Sequence, residues 1–222
     1  MKKFLFTIQT YIQALLYGGS CSGCQAPGPA ICSDCLAKIP LSSTTEHPGI
    51  YGIYNYGHAL VSHAIWNLKY RHKGQEAKLL SEKARDVLTE IIAEQLQSEN
   101  PEKIVFVPIP QYKKKTQTRG FNQSVLVAQW FSKEIPLSEV KEIIEKHIET
   151  LPQSHLSSRE SRIKNIHDTM KIRGKINPKQ IYVIVDDVTT TGATFLEAMR
   201  ALKEAGAKNI ICIALAHGYK RR

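Results

Sequence analysis

The sequence predicts an α/β protein with a mostly parallel sheet flanked by helices, preceded by a small module built on four cysteines. Two apolar runs carry the first half of that reading. Ile181–Val185 (IYVIV) and Lys103–Pro110 (KIVFVPIP) are rich in the β-branched residues that suit strands buried on both faces. Each is followed by a polar turn and then by helical periodicity, the strand–loop–helix order of an α/β unit. The third observation is Cys21-Ser-Gly-Cys24 followed shortly by Cys32-Ser-Asp-Cys35.

Ile181–Thr194 (IYVIVDDVTTTGAT) fixes the expected site. Asp186 and Asp187 stand where the strand should end. Val188, Thr189, Thr190, Thr191 and Gly192 form a turn of small residues whose hydroxyls and backbone N–H groups can surround a phosphate. Ala193 and Thr194 open a helix that runs to Ala205, with Gly206 as its stop. A loop between a strand end and a helix N-terminus is an anion site, because the first-turn N–H groups lack partners and the helix dipole is positive there. The two carboxylates cannot serve that phosphate. They suit vicinal hydroxyls, as on a ribose, or a metal held through water. Acids that merely cap the next helix are the plainer alternative. No Gly-Lys-Ser/Thr follows, which excludes the Walker phosphate loop.

A length of 222 residues suffices for one good core and a small appendage. With 42% hydrophobic and 23% charged residues, the composition is that of an ordinary soluble protein. The net charge of +10 suits polyanions, nucleic acid or a pyrophosphate-bearing ligand among them. At the N-terminus, Phe4, Ile8, Tyr11, Ile12, Leu15 and Leu16 recur at helical spacing. Thr7, Gln9, Thr10 and Gln13 break the apolar run that a secretory segment needs. Nothing later reaches the ~18 apolar residues of a membrane span. A cytoplasmic protein with no membrane span is expected.

Two CxxC pairs so close together signal a tetrahedral Zn²⁺ on the thiolates of Cys21, Cys24, Cys32 and Cys35; disulfides are the alternative, which a chain of this length without a secretion signal does not need. The role of the zinc is structural, because all four ligand positions are filled. Gly23 eases the first turn. The fifth cysteine, Cys212, falls in the apolar run Ile210–Ala216 and reads as core. The polar linker Leu41–Gly49 marks a boundary, giving a helix and zinc module over 1–45 and a main domain over 46–222. Ile50–Gly57 suggests strands or a hairpin, and Leu60–Tyr70 a helix. Glu76–Gln97 reads as one long amphipathic helix, and a helix reaching about Phe131 follows Gln123.

Several of these segments carry a resemblance. VIVDDVTTTGAT closely resembles the phosphoribosyl pyrophosphate (PRPP) motif of type I phosphoribosyltransferases. Other segments narrow this to the ComF family. Leu68-Lys69-Tyr70-Arg71 is similar to its LKYRG, with His72 and Lys73 intruding before Gly74. Pro108-Ile109-Pro110 is similar to its VPVP. Arg119-Gly120-Phe121-Asn122-Gln123 matches RGFNQ without a mismatch. Gln153, Leu156, Arg159 or Arg162, and Asn165 resemble a further family segment within Leu151–Met170, whose polar composition suits a cover over a ligand.

The resemblance spans nearly the whole chain and implies a type I phosphoribosyltransferase fold. It implies that Asp186 and Asp187 bind the ribose hydroxyls and that the Val188–Thr194 loop binds the 5′-phosphate. Candidates for the pyrophosphate and the covering flap are Lys69, Arg71, Pro108, Ile109, Pro110, Arg119, Asn122, Gln123, Arg159 and Arg162. Mg²⁺ would accompany PRPP. Arg119 offers a planar fork for phosphate, whereas Lys113-Lys114-Lys115 reads as a solvated run, and a helix N-cap is the plainer reading of the amides that follow. Ser154, His155 and Ser157 have no acid or oxyanion turn beside them and carry no nucleophilic reading.

The resemblance further implies a role in natural competence, acting on incoming single-stranded DNA with a helicase-like partner. Two functional readings follow. In one, the chain is a phosphoribosyltransferase whose acids stabilise the positive charge on the ribose as pyrophosphate departs. In the other, it is a non-catalytic PRPP sensor whose basic surface binds DNA, with Tyr54, Tyr56, Trp66, Tyr70 and Tyr112 as stacking candidates. Nucleobase salvage is a third reading, for which the sequence names no base pocket.

Overall fold

The computed structural model describes residues 19–42, 47–71, 73–96, 103–111, 120–146 and 168–218, with the side chains of 95 and 96 excepted. Several expectations fall outside these residues. They are the helix over 4–16, His72, Tyr112, the three lysines, Arg119 and the segment 151–167 with Arg159 and Arg162.

The cysteine module comes first and ends in a short helix, α1 (Ser33–Ala37). Then follow β1 (Ile50–Asn55), α2 (Ala59–Tyr70), α3 (Gln75–Lys83), α4 (Arg85–Leu96) and β2 (Ile104–Pro108). The second half holds α5 (Gln123–Glu134), β3 (Ser138–Val140), β4 (Ile144–Lys146), β5 (Met170–Ile172), β6 (Ile181–Thr189), α6 (Ala193–Glu204) and β7 (Asn209–His217). Five strands form one sheet in the order β1-β7-β6-β2-β3, and every pairing in it is parallel. Strands β4 and β5 form a separate antiparallel pair.

The central strand β6 alternates its side chains between two cores. Ile181, Val183 and Val185 face one, shared with Ala64 and Leu68 of α2, Leu80 of α3, Leu88 of α4 and Phe131 of α5. Tyr182 and Ile184 face the other, filled by Phe195, Ala198 and Leu202 of α6 with Ile144 and Met170 from the antiparallel pair. Helices thus cover both faces, as a parallel sheet requires. Cys212 is fully buried in the second core, as its sequence context suggests.

Three expectations need correction. Ile50–Asn55 is a single strand pairing parallel with β7, because its partner arrives from the far end of the chain instead of from a local turn. The expected long helix breaks at Ala84. Its buried positions Ala77, Leu80, Ala84, Leu88 and Ile91 keep helical spacing across the break, so periodicity gave no warning. The break leaves Lys83 Nζ donating to the carbonyls of Leu36 and Ile39, both at 2.6 Å, which satisfies the end of α1. Lastly, β6 does not end at the acids. It continues to Thr189, because β7 extends beside it with Thr189 opposite His217 and Gly218 N–H donating to Thr189 O.

The cysteine module joins the first core rather than standing apart from it. Ile31 and Ile39 are buried with Ile53 and Ile65, and Ser42 N–H donates to Ile53 O at 2.7 Å.

Candidate ligand site at the carboxyl edge of the sheet

The neighbours β2 and β6 send their following helices to opposite faces, α5 to one core and α6 to the other. Such a switch in strand order leaves a crevice beyond the carboxyl ends, the usual ligand position in open parallel sheets. Val185 lies opposite Pro108 in this ladder. The next residues on β6, Asp186 and Asp187, therefore stand at the lip of the crevice.

The two acids have different partners. Asp186 Oδ1 accepts from Ser124 Oγ at 2.7 Å and from the Asp187 N–H at 2.9 Å. Asp187 is buried, and its Oδ2 lies 3.0 Å from Lys69 Nζ. Burial, then repulsion from Asp187, raises the Asp186 carboxyl to about 7, against the opposing pull of Ser124, Lys69 and the Asp187 amide. Burial also disfavours the Lys69 ammonium, but its bond to Asp187 and the charges of both acids hold its pKa above the ordinary lysine value. The Asp186 carboxyl is therefore held up toward neutral pH, with the Lys69 cation beside the pair.

After Thr189 the turn is short: Thr190 is exposed, Thr191 half-buried, and Gly192 is buried at φ 71° as the N-cap of α6. That positive φ favours glycine. A Cβ there would also meet His47 Cδ2 at 3.0 Å and Ile50 Cδ1 at 3.1 Å. A shallow cup at this turn is lined by Asp186, Val188, Thr189, Thr190, Thr191, Gly192, Ala193, Thr194 and Phe195. The first-turn N–H groups of α6 sit in its wall, with Thr191 Oγ1 3.5 Å from the Ala193 nitrogen. The cup has the make-up of a phosphate site, and the acids beside it that of a diol site.

The remaining candidates separate. Asn122 accepts the Ser124 N–H and donates Nδ2 to Ile109 O at 2.9 Å, so it caps α5 and ties it to the β2 exit. Gln123 is fully buried and accepts from Gln111 Nε2. Both amides hold the loop after β2 in shape. Arg71 lies over the Trp66 ring, 4.9 Å from its centroid, while Lys69 on the same helix reaches the acids. Tyr54 is a core residue whose hydroxyl donates to Leu80 O, whereas Trp66 and Tyr70 are exposed, 43% and 56%, and in ring contact.

Sequence reasoning missed Ser124, and its only signal was its place directly after the RGFNQ stretch. It also missed His217, buried beside Thr189 at the end of β7, where Ser42 Oγ lies 3.3 Å from Nε2.

The four N-terminal cysteines come together as the spacing predicts, with their sulfurs all within 4.8 Å of one another. Burial opposes ionisation of Cys21, but backbone hydrogen bonds, including those from Cys32 and Gly23, lower it to about 6. The nearby Cys32 sulfur raises Cys35 to about 12. Four crowded thiols resist joint ionisation unless a cation sits among them, so the set fits a thiolate-bound metal. Gly23 serves close approach more than turn geometry: a Cβ on it would lie 2.8 Å from Cys35 Sγ.

An all-parallel sheet with an acid pair and a Thr/Gly turn at its carboxyl edge defines a phosphoribosyltransferase-type domain. Residues 80–222 match the phosphoribosyl transferase domain family, and the chain belongs to that family. It is 26% identical to Competence protein F of Haemophilus influenzae over 89% of this chain and 90% of that protein. It is 30% identical to the DNA utilization protein YhgH of Escherichia coli K12 over 79% of this chain and 73% of that one. A phosphoribosylpyrophosphate synthetase from Mycobacterium smegmatis superposes on 61% of this chain and 33% of its own at TM-score 0.37 and 22% identity, too slight a likeness to add weight.

The Asp186 carboxyl has an ordinary value of 3.8 and is raised to about 7 in the fold. Its stabilising contribution is thus fully present below the ordinary value and is lost as pH rises through the raised one. Asp186→Asn should therefore be more stable than the natural protein at pH 8, by about 1–3 kcal/mol once screening by water is allowed for. The advantage should disappear as pH falls toward 4, as urea unfolding across that range will show.

Proposed function

We propose that the chain binds PRPP at the β6–α6 edge and acts, as a ComF-type protein, on incoming single-stranded DNA during natural competence. The carrying observation is the acid pair with its two separate partners, set beside a helix N-terminus. Asp186 and Asp187 accept the ribose hydroxyls, and the turn from Val188 to Thr194 takes the 5′-phosphate. Pro108–Pro110 flank the pyrophosphate, for which Arg119, Arg159 and Arg162 are the candidate cations. Bound Mg²⁺ supplies charge neutralisation on the pyrophosphate. If pyrophosphate leaves, the carboxylates stabilise the cationic ribose electrostatically, which is transferase chemistry. Titration calorimetry with Mg–PRPP at pH 8 tests the site. Asp186→Asn keeps the Lys69–Asp187 pair and should bind about 10- to 100-fold more weakly. An unchanged affinity would remove the ribose assignment.

Residues 1–45 form, on this reading, a zinc module braced on the transferase-like unit 46–222, with Zn²⁺ held by Cys21, Cys24, Cys32 and Cys35. Elemental analysis of purified protein should find one zinc per chain, lost on Cys24→Ser with Cys35→Ser. Zinc-free protein with four reactive thiols would rule the module out as a metal site.

A DNA-binding reading is favoured by one further observation. Trp66 and Tyr70 sit 5.8 Å apart on an exposed face of α2, with Arg71 over the Trp66 ring. Exposed rings flanked by cations suit stacking of unpaired bases. Trp66→Ala with Tyr70→Ala should weaken binding of an oligo-dT strand by about 10-fold or more, on top of an affinity that falls steeply with salt. Equal binding by the variant would remove this face from the DNA path.

A further inference from the structure

A cavity of about 570 Å³ lies between the cysteine module, α2 and the start of α3. That volume is in the range of small-molecule sites. Ser20, Ser22, Gly28 and Ala30 of the module form one wall, and their small size leaves room for a flat ring. The buried Asn67 and Glu76 make the floor with His63 beside them, and the exposed Arg71 and Lys73 make the rim. Successive helix positions turn by about 100°, so Asn67 and Lys69 project from nearly opposite sides of α2. Lys69 reaches the acid pair, and the cavity is therefore a separate place.

Its floor is rich in acceptors and short of donors. Glu76 accepts from Asn67 Nδ2 at 2.7 Å and from Ser22 Oγ, and His63 Nε2 lies 3.5 Å from its Oε1. A carboxylate has about four lone-pair directions, so acceptor capacity is left over. Asn67 Oδ1 is buried and has no hydrogen-bond partner among the described residues. Turning that amide over would only set its oxygen against the Glu76 carboxylate. Buried acceptors without donors are costly. The rim has the opposite character, because two cations there repel a positively charged occupant.

A ligand suited to both ends carries adjacent N–H donors at one end and negative charge at the other. Among the DNA bases, guanine alone offers two neighbouring donors, N1–H and the 2-amino group, to a single carboxylate. Adenine and cytosine set a ring-nitrogen acceptor beside the amino group, and thymine flanks its N–H with carbonyls.

We propose that this cavity is a guanine site. Glu76 accepts N1–H and the 2-amino group, Asn67 supplies a further acceptor, and Arg71 and Lys73 meet the attached phosphate. The guanine belongs to a free nucleotide or to an unpaired strand, which present the same edge. The site does not depend on PRPP binding at the acid pair.

Titration calorimetry of the full chain with guanosine monophosphate and inosine monophosphate tests it, because inosine lacks only the 2-amino group. The guanine nucleotide should bind about 10- to 100-fold more tightly. A second arm compares an oligo-dT strand carrying one central deoxyguanosine with the same strand carrying deoxyinosine. A guanine preference in the nucleotide arm marks free nucleotides as the ligand, and one confined to the strand arm marks unpaired DNA. No preference in either arm overturns the proposal. Glu76→Gln should abolish the preference, and a preference that survives it overturns the assignment to this cavity. Should Glu76→Gln fail to fold, Ser20→Trp fills the cavity from an exposed position, and the same two outcomes decide.

Discussion

The constraint on which the rest of the site depends is the placement of two carboxylates next to each other near the carboxyl end of a buried strand. Burial and mutual repulsion both work against ionising them together. The fold answers from two directions. Helix α5 brings Ser124 to Asp186, and helix α2 brings Lys69 to Asp187. Each helix is then fixed by something further out. Asn122 ties α5 to the end of β2, and Glu76 ties α2 to the cysteine module.

The N-terminal module has a physical place in this arrangement. Its helix α1 has its last carbonyls satisfied by Lys83, and Ile31 and Ile39 complete the core beneath α2 and α3. A metal held by the four clustered sulfurs would let a short segment with few apolar residues keep its shape. The module and the acid pair are therefore linked through α2, although they lie far apart in the chain.

Much of this was legible in the sequence where the signal was local. The buried strand, the acid pair, the small-residue turn, the following helix and the cysteine pairs all lie within short windows. What escaped was whatever depended on a distant partner. Nothing near Ser124 or Lys69 announces the carboxylate that each one meets. The amides of Asn122 and Gln123 read as ligand groups because their motif lies by the site, yet they bond Ile109 and Gln111. Ile50–Asn55 could not be told from half of a hairpin, because its mate is the last strand of the sheet. The break at Ala84 was hidden by apolar spacing that stays in phase on both sides of it.

The continuation of β6 to Thr189 has a thermodynamic consequence. Only Thr190, Thr191 and Gly192 separate the sheet from α6, and Gly192 is pressed against His47 and Ile50. A turn so short, clamped at both ends, has little conformational entropy left to lose. An anion that settles there meets donors already in position.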